Sequence, residues 1–537
     1  VTEEKTKYFD YSWETFLNYD LKYKENHNFN VLAGMSFRKE TGNNIFGKGY
    51  QVPYNSWEYA SLGNTKPSIT LPDESNSWDY DTRWTSFYGR LQYDYKKKYL
   101  LSAMIRRDAS SKFGPENRVG YFPAVSAGWV VSKEGFFSSE FINFLKLRGS
   151  WGITGNDKIV ANAYRSSLDG KGEYVFDGST LVTGSAIGKI PNSKIKWETN
   201  QQTDLGIDLR IWKNKIDITA DYFYKKTEDL LLTPQVAGTI GASAPGSSAP
   251  VVNGGSVENR GFEFGINYKE NITDDFSFNI AYNFTTYKNK ALQVNTESGF
   301  IEDGKFDLST KTSRFETGFP IGYFYGYKTD GIFQNATEVA NSPYFSNATA
   351  MPGDLRFVDM NGDGVINEKD KTDLGSPHPD VMMGISLGLN YKSFDFSVAA
   401  NAVLGNEVVR AYERFVPYAN RLDYYLGRWT GEGTSNEIPR ATNGATRNRE
   451  FSDFYVEDGS FVRISNIQLG YSLPQSLLDA VHLTKFRIYF SVNNLYTFTK
   501  YKGYDPEISI GSPAAAGVDR GQYPRSRVFL TGLNVTF

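Results

Sequence analysis

Apolar and polar residues alternate with a period of two along almost the whole chain. That period puts like side chains on one face of an extended strand. Phe276, Phe278, Ile280, Tyr282 and Phe284 alternate with Ser277, Asn279, Ala281 and Asn283. Leu205, Ile207, Leu209 and Ile211 alternate with Asp204, Gly206, Asp208 and Arg210, and Ile216, Ile218, Ala220, Tyr222 and Tyr224 with Asp217, Thr219 and Asp221. The same reading covers Leu17–Tyr23, Phe29–Phe37, Gly89–Tyr95, Tyr99–Ile105, Tyr121–Val131, Leu145–Ile153, Phe262–Tyr268, Ile385–Tyr391, Phe394–Ala402, Phe461–Tyr471, Phe486–Val492 and Phe529–Phe537. The pattern predicts about fifteen strands of about ten residues, enough to cross a bilayer when tilted. Within Phe461–Tyr471 the alternation slips at Ser465-Asn466, which predicts a β-bulge.

The links between strands are short and long by turn. Short ones are Lys96-Lys97-Lys98, Lys213-Asn214-Lys215 and Lys392-Ser393; long ones lie near 41–83, 156–196, 232–255, 291–378, 406–459 and 499–525. Short turns on one side and long loops on the other characterise outer-membrane barrels, with the short turns in the periplasm. Tyr95, Tyr99, Trp212, Tyr268, Tyr391 and Phe394 flank the short turns and would sit at headgroup level. Strand propensity alone also enriches aromatics. Placing the end of the last strand in the periplasm puts every long link outside, residue 1 in an outer loop, and an odd number of strands in the sheet. An odd antiparallel count does not close as a bacterial barrel and leaves edges facing lipid. The expectation is a partial barrel over 1–537, with the plug and the early strands on an amino-terminal piece outside this sequence.

Composition narrows the classes. The 537 residues carry a net charge of −3 with both signs interspersed, unlike the clustered basic excess of a nucleic-acid binder. With no cysteine, thiol catalysis and cysteine metal sites are excluded. Aromatics reach 15%, with 36 Tyr and 38 Phe, which suits half-wet surfaces. No apolar run approaches the ~20 residues of a membrane helix. The mean hydropathy of −0.46 would suit a soluble protein, but a barrel strand turns only alternate residues to lipid. The chain opens Val1-Thr2-Glu3-Glu4 without a signal peptide, as expected for a processed or front-truncated exported protein.

Several phrases, in order, resemble the SusC/RagA family of TonB-linked outer-membrane proteins. They are Tyr93-Asp94-Tyr95-Lys96 with Tyr99-Leu100-Leu101; Arg106-Arg107-Asp108-Ala109-Ser110-Ser111-Lys112-Phe113-Gly114; Gly120-Tyr121-Phe122-Pro123 with Ser126-Ala127-Gly128-Trp129; and Leu145 to Gly152 ending in Gly155-Asn156. Later come Phe324-Tyr325-Gly326-Tyr327-Lys328-Thr329-Asp330-Gly331-Ile332-Phe333, Val456 to Phe461, Tyr501 to Glu507 and Tyr523-Pro524-Arg525. The resemblance implies an all-β, 22-stranded transmembrane antiparallel barrel with an amino-terminal plug, the size class of plugged transporters. It also implies a SusD-like surface lipoprotein as lid, the TonB complex as energy source, and import of oligosaccharides or peptides. The sequence has no TonB box and no plug, so the coupling segment would belong to the missing plug-bearing fragment.

One motif carries sharper chemistry. Asp359-Met360-Asn361-Gly362-Asp363-Gly364-Val365-Ile366-Asn367-Glu368-Lys369-Asp370 has the spacing of a calcium loop. Ca²⁺ takes six to eight oxygens, and twelve residues can curl them around one point. Asp359, Asn361 and Asp363 would offer side chains, Val365 its carbonyl, and Asn367 a direct or water-mediated ligand, with Gly364 at the sharp turn. Asp370 stands where a longer Glu is usual, nearer a dockerin-type loop. Ile366 should pack inward. A metal-free Asx- and Gly-rich turn is the alternative. A structural role in the long outer loop 291–378 is the expectation.

Catalytic signals are missing. His27, His378 and His482 are the only histidines, and no G-x-S-x-G elbow, Walker loop or dinucleotide fingerprint occurs. No enzyme and no organic cofactor are therefore expected. Asp204, Asp208, Asp217 and Asp221 fall on positions that would face a polar lumen, as do Asn279, Asn283, Asn390 and Asn401. Among loop aromatics, Tyr412, Tyr424, Tyr425 and Trp429 are weak candidates for stacking on substrate, alongside Tyr323, Tyr325 and Tyr418; packing within the loops is the stronger expectation. The sequence thus points to an outer-membrane importer, with a surface β-rich glycan-binding protein or glycosidase as the alternative.

Overall fold

The structure, a computed structural model, describes residues 1–66, 74–168, 170–176, 178–234, 248–307, 309–413, 420–444, 446–480, 482–508 and 513–537. Fifteen strands hydrogen-bond in chain order into one sheet. They are β1 (Thr2–Tyr23), β2 (His27–Lys48), β3 (Glu74–Tyr95), β4 (Tyr99–Ser110), β5 (Val119–Val130), β6 (Ile142–Asn156), β7 (Glu198–Ile211) and β8 (Ile216–Glu228). The rest are β9 (Gly255–Thr273), β10 (Phe276–Val294), β11 (Val381–Tyr391), β12 (Phe394–Leu404), β13 (Phe461–Ser472), β14 (Lys485–Thr499) and β15 (Val528–Thr536). The ladders are antiparallel, as chain neighbours joined by tight turns must be. All fifteen expected strands are present.

Their lengths are not all as expected. Each of β1, β2 and β3 runs 22 residues. The ladder opens at Thr2↔Lys48, so residue 1 lies at a strand end and not in an outer loop. The long link near 41–83 contracts to 49–73, and the one at 291–378 begins after Val294 and ends before Val381. In β1 the alternation continues outward through Trp13, Tyr11 and Phe9 and gives out only over 2–7; the extension is held by backbone ladder bonds and cross-strand charges, Arg38 with Asp10 at 2.8 Å and Lys39 with Asp81 at 3.0 Å. In the three-residue turn Lys96-Lys97-Lys98, Lys96 and Lys97 have positive φ, 51° and 53°, and the Lys98 N–H donates to the Tyr95 carbonyl at 2.9 Å, a turn whose hand follows the strand twist.

The expected bulge lies where the alternation slips. The β12–β13 register shifts between Ala399 and Ala400, the β13–β14 register between Ile464 and Asn466, and Ser465 Oγ donates to the Ala399 carbonyl at 3.0 Å. The shift lets Leu469 on one side of the bulge and Val462 on the other share the apolar face, although the parity of their numbers differs.

Side chains sort as the period requires. Leu205, Ile207, Leu469, Phe490 and Leu533 are exposed. On alternate positions Lys146 pairs with Asp208 at 3.1 Å. Well-buried apolar residues gather mainly in the links. The chain forms two compact units, one of 1–133, 148–203 and 225–256, the other of 134–147, 204–224 and 257–537. The first has a cluster of Phe113, Phe122, Ile159, Ala163, Ile195 and Trp197. The second has two, one around Phe324, Val409 and Tyr455 and one around Tyr327, Leu355 and Ile366.

Candidate functional site: the calcium-type loop and the outer links

In the link between β10 and β11, residues 359–370 curl as their spacing suggests. The Asp359 carboxylate accepts from the backbone N–H of Gly362 and of Gly364, each at 2.7 Å. Asn361 Oδ1 accepts from Asp363 N at 2.9 Å, and Asp363 Oδ1 from Val365 N at 3.0 Å. Gly362 and Gly364 have φ of +75° and +85°, where a Cβ would strain the turn. Asn367 caps the turn Glu368–Asp370 in a reciprocal capping box, and its Nδ2 donates to the Val365 carbonyl at 3.1 Å. Asp370 is fully buried and accepts from Met360 N at 3.0 Å and Asn367 N at 2.8 Å. Ile366 is buried in the loop cluster. The Gly364 N–H, before any other group, holds the Asp359 carboxyl below its ordinary range. Among the described residues no three His, Cys, Asp or Glu side chains converge as a ready metal cage. The oxygens are oriented by backbone amides, and side-chain oxygens of Asp359, Asn361, Asp363 and Asp370 with the Val365 carbonyl make a hard, oxygen-only donor set, which fits Ca²⁺ better than a softer metal.

The stacking candidates are woven into the links. Trp429 packs on the Tyr327 cluster and donates from Nε1 to Gln334 Oε1 at 3.2 Å. The Tyr424 hydroxyl donates to Glu413, its ring lies 4.8 Å from that of Tyr425, and the Arg410 guanidinium sits 4.6 Å above it. Burial pushes the Tyr424 and Tyr425 phenols up. The Tyr412 hydroxyl is buried, as is most of Tyr323, whereas Tyr418 lies outside the described residues. Trp429, Tyr424 and Tyr425 thus each have partners within the links.

Charged anchors hold the links. Arg463, almost fully buried on β13, donates to Thr497 at 2.9 Å, Glu507 at 2.7 Å and Asp505 at 2.6 Å. Asp354, fully buried, pairs with Arg440 at 2.8 Å. Sequence reasoning missed both, since the partners lie 42, 44 and 86 residues apart. The one local signal is a charge on alternate positions of an apolar strand, Phe461-Val462-Arg463-Ile464. His378 sits before β11, with Nε2 2.8 Å from the Ile321 carbonyl and Nδ1 3.3 Å from the Tyr287 hydroxyl, and burial lowers its pKa. Asp373 and Glu407 nearby are raised, chiefly by burial. His27 opens β2, where its Nδ1 lies 2.9 Å from the Tyr93 hydroxyl.

A sheet with an exposed apolar face, a polar opposite face and self-packed links defines an outer-membrane β-barrel wall. Residues 2–495 match the family described as TonB dependent receptor-like, beta-barrel, and the chain belongs to that family. TonB-dependent receptor P3 of Formosa agariphila is 33% identical over 98% of this chain and 52% of its own length. TonB-dependent receptor SusC of Bacteroides thetaiotaomicron is 32% identical over 85% of this chain and 44% of its own. The RagAB peptide transporter structure superposes on the whole chain with a TM-score of 0.84 at 22% identity, over 56% of its own chain, a likeness of fold. The chain spans about half the length of the curated relatives it matches. It is a SusC/RagA-like protein of the outer membrane.

Proposed function

We propose that this chain is barrel wall of an active importer of oligosaccharides or peptides, working with a SusD-like surface lipoprotein and with TonB through a plug-bearing segment. The observation that carries the reading is the division of labour in the sheet. One face is apolar and exposed, as lipid contact requires. The other carries the amides and paired charges of a hydrated path. The same exposed apolar face weighs against the soluble glycan-binding alternative. Outer links and lid capture the cargo; the plug gates its passage by conformational change. Mass spectrometry of what co-purifies with the chain from detergent-extracted membranes tests this. Recovery of a SusD-like lipoprotein and a plug-bearing segment is expected; recovery of the chain alone from the soluble fraction overturns it.

We infer also that Asp359, Asn361, Asp363, Val365, Asn367 and Asp370 bind Ca²⁺ as a structural ion. What supports it is the orientation of the Asp359, Asn361 and Asp363 side-chain oxygens by the loop's own N–H groups, with the buried Asp370 carboxylate closing the loop on Met360 and Asn367. A bound cation would offset the charge of these carboxylates and stiffen the link. Proteolysis of this link should speed up when chelator is added, and in the Asp359→Ala, Asp363→Ala double variant should be fast with or without it. Cleavage indifferent to chelator refutes the site.

A further inference from the structure

Toward the outer ends of β9 and β10 the lipid-facing positions change character. Phe264 and Phe262 give way to Arg260 and Glu258 on one strand, and Tyr282 and Phe284 to Lys288 and Lys290 on the other, all of one parity. On the opposite side of the sheet Asn289 Nδ2 donates to Asn259 Oδ1 at 2.8 Å, and the Phe264 and Phe284 rings lie 5.5 Å apart. Both contacts fit one antiparallel register, which sets Arg260 across from Lys288 as a cross-strand neighbour. Asn289 Oδ1 also accepts from Ile321 N at 2.7 Å, so the reverse side is tied down. Arg260 lies eight residues from Tyr268, and Lys288 twelve from Phe276, the aromatics near the periplasmic turn. A tilted strand crosses a bilayer in about 9–11 residues, so these cations stand at the outer headgroup level.

Like charges set opposite each other repel, so the row needs an anion. Other outward-facing cations find one within the chain: Arg83 meets Asp81 at 2.9 Å and Lys226 meets Glu228 at 2.6 Å. Among the described residues Arg260, Lys288 and Lys290 have no carboxylate at ion-pair distance. Glu258, the acid beside them, accepts instead from the Tyr224 hydroxyl at 3.3 Å. Residues 230–254, in the link from β8 to β9, contain no Asp or Glu. Three cations beside one carboxylate leave an excess of positive charge. All three are exposed, and toward the periplasm the same face is exposed and apolar, with Phe262, Tyr222 and Ile280. Positive charge above apolar surface matches an amphiphile with an anionic head and acyl tails.

We propose that Arg260, Lys288 and Lys290 bind the phosphate of an acylated sugar in the outer leaflet, a glycolipid of the lipid A class, on the outside of the wall. Arg260 presents a planar fork to two phosphate oxygens, and the lysines act as point charges. Glu258 can accept from a sugar hydroxyl, which a phosphoglyceride would not offer in its place. The acyl chains run down past Phe262 and Ile280. The site lies on the outward face of strands with both neighbours present, and it depends on the outer-membrane setting and not on cargo, plug or lid.

Native mass spectrometry of the detergent-purified protein tests this with monophosphoryl lipid A, its dephosphorylated form and dioleoylphosphatidylglycerol, and with inorganic phosphate as competitor. Monophosphoryl lipid A should bind about tenfold or more tightly than the dephosphorylated form, as loss of charge-assisted hydrogen bonds predicts. Arg260→Gln with Lys288→Gln should remove that preference. Arg260→Lys with Lys288→Arg keeps the charge and should retain it. Arg83→Gln, at an outward-facing cation that is already paired, should leave it unchanged. Equal binding of the two glycolipids, a preference that survives Arg260→Gln with Lys288→Gln, or an equal loss in Arg83→Gln overturns the proposal. Tighter binding of dioleoylphosphatidylglycerol, or displacement by inorganic phosphate at the lipid's own concentration, overturns it as well. The comparison of the two glycolipids needs no variant, so a misfolded variant cannot mask the result.

Discussion

In the sheet Leu205 and Leu533 leave 60% and 59% of their surface exposed, whereas in the links Phe324, Phe333 and Val409 leave none. The usual rule of apolar inside is inverted in one half of the molecule and obeyed in the other. Lipid replaces a protein core along the strands, where backbone groups are satisfied by neighbouring strands. The links stand in water and need cores of their own, built from aromatics and fixed by buried pairs such as Arg440 with Asp354. The two regions should therefore fail independently.

The sharpest break comes from the links. Phe324→Ala should cost about 3–5 kcal/mol locally, the penalty for emptying a full aromatic site. Limited proteolysis should cut residues 295–380 while the sheet keeps its resistance to heating in detergent; loss of both together would merge the two regions. Next, Leu205→Arg should cost about 2–4 kcal/mol if it lies near the bilayer midplane. Refolding into lipid vesicles should suffer, with link proteolysis unchanged.

Acidification is gentler. His378 has a lowered pKa, so its stabilising contribution is present above the ordinary histidine value and lost as pH falls through the folded one. Asp373 and Glu407 are raised, so their contribution is present at low pH and lost as pH rises through their folded values. From pH 7 downward the link should first loosen by the histidine and then recover partly by the carboxylates. Hydrogen exchange near Ile321 should follow that course, and His378→Gln should erase its first limb. The smallest effect belongs to the far end of β1 and β2: Arg38→Gln removes an exposed pair worth about 0–1 kcal/mol. A large loss there would mean that side chains, and not the ladder, hold the extension.

What could be read from the sequence follows the same division. Strands under lipid announce themselves because alternate positions must be apolar, as in Phe276 to Phe284. Phe9, Tyr11 and Trp13 keep that pattern further out on β1, and it is lost only at the outermost stretches, 2–7 of β1 and 39–44 of β2, where Glu3, Glu4, Lys39 and Glu40 stand. Within the links, strands as short as Leu355–Phe357 and Val409 beside Val518 owe their form to distant partners. The calcium-type loop was legible because its donors lie within twelve consecutive residues. The Arg463 clamp was not, since its carboxylate partners Asp505 and Glu507 lie 42 and 44 residues away in the chain.

Each sheet strand lies beside its predecessor and successor in the chain, with no crossover. Such a meander is a string of interchangeable hairpins. A gene could gain or lose two adjacent strands and leave every other ladder in register, so wall circumference can evolve in steps of one hairpin.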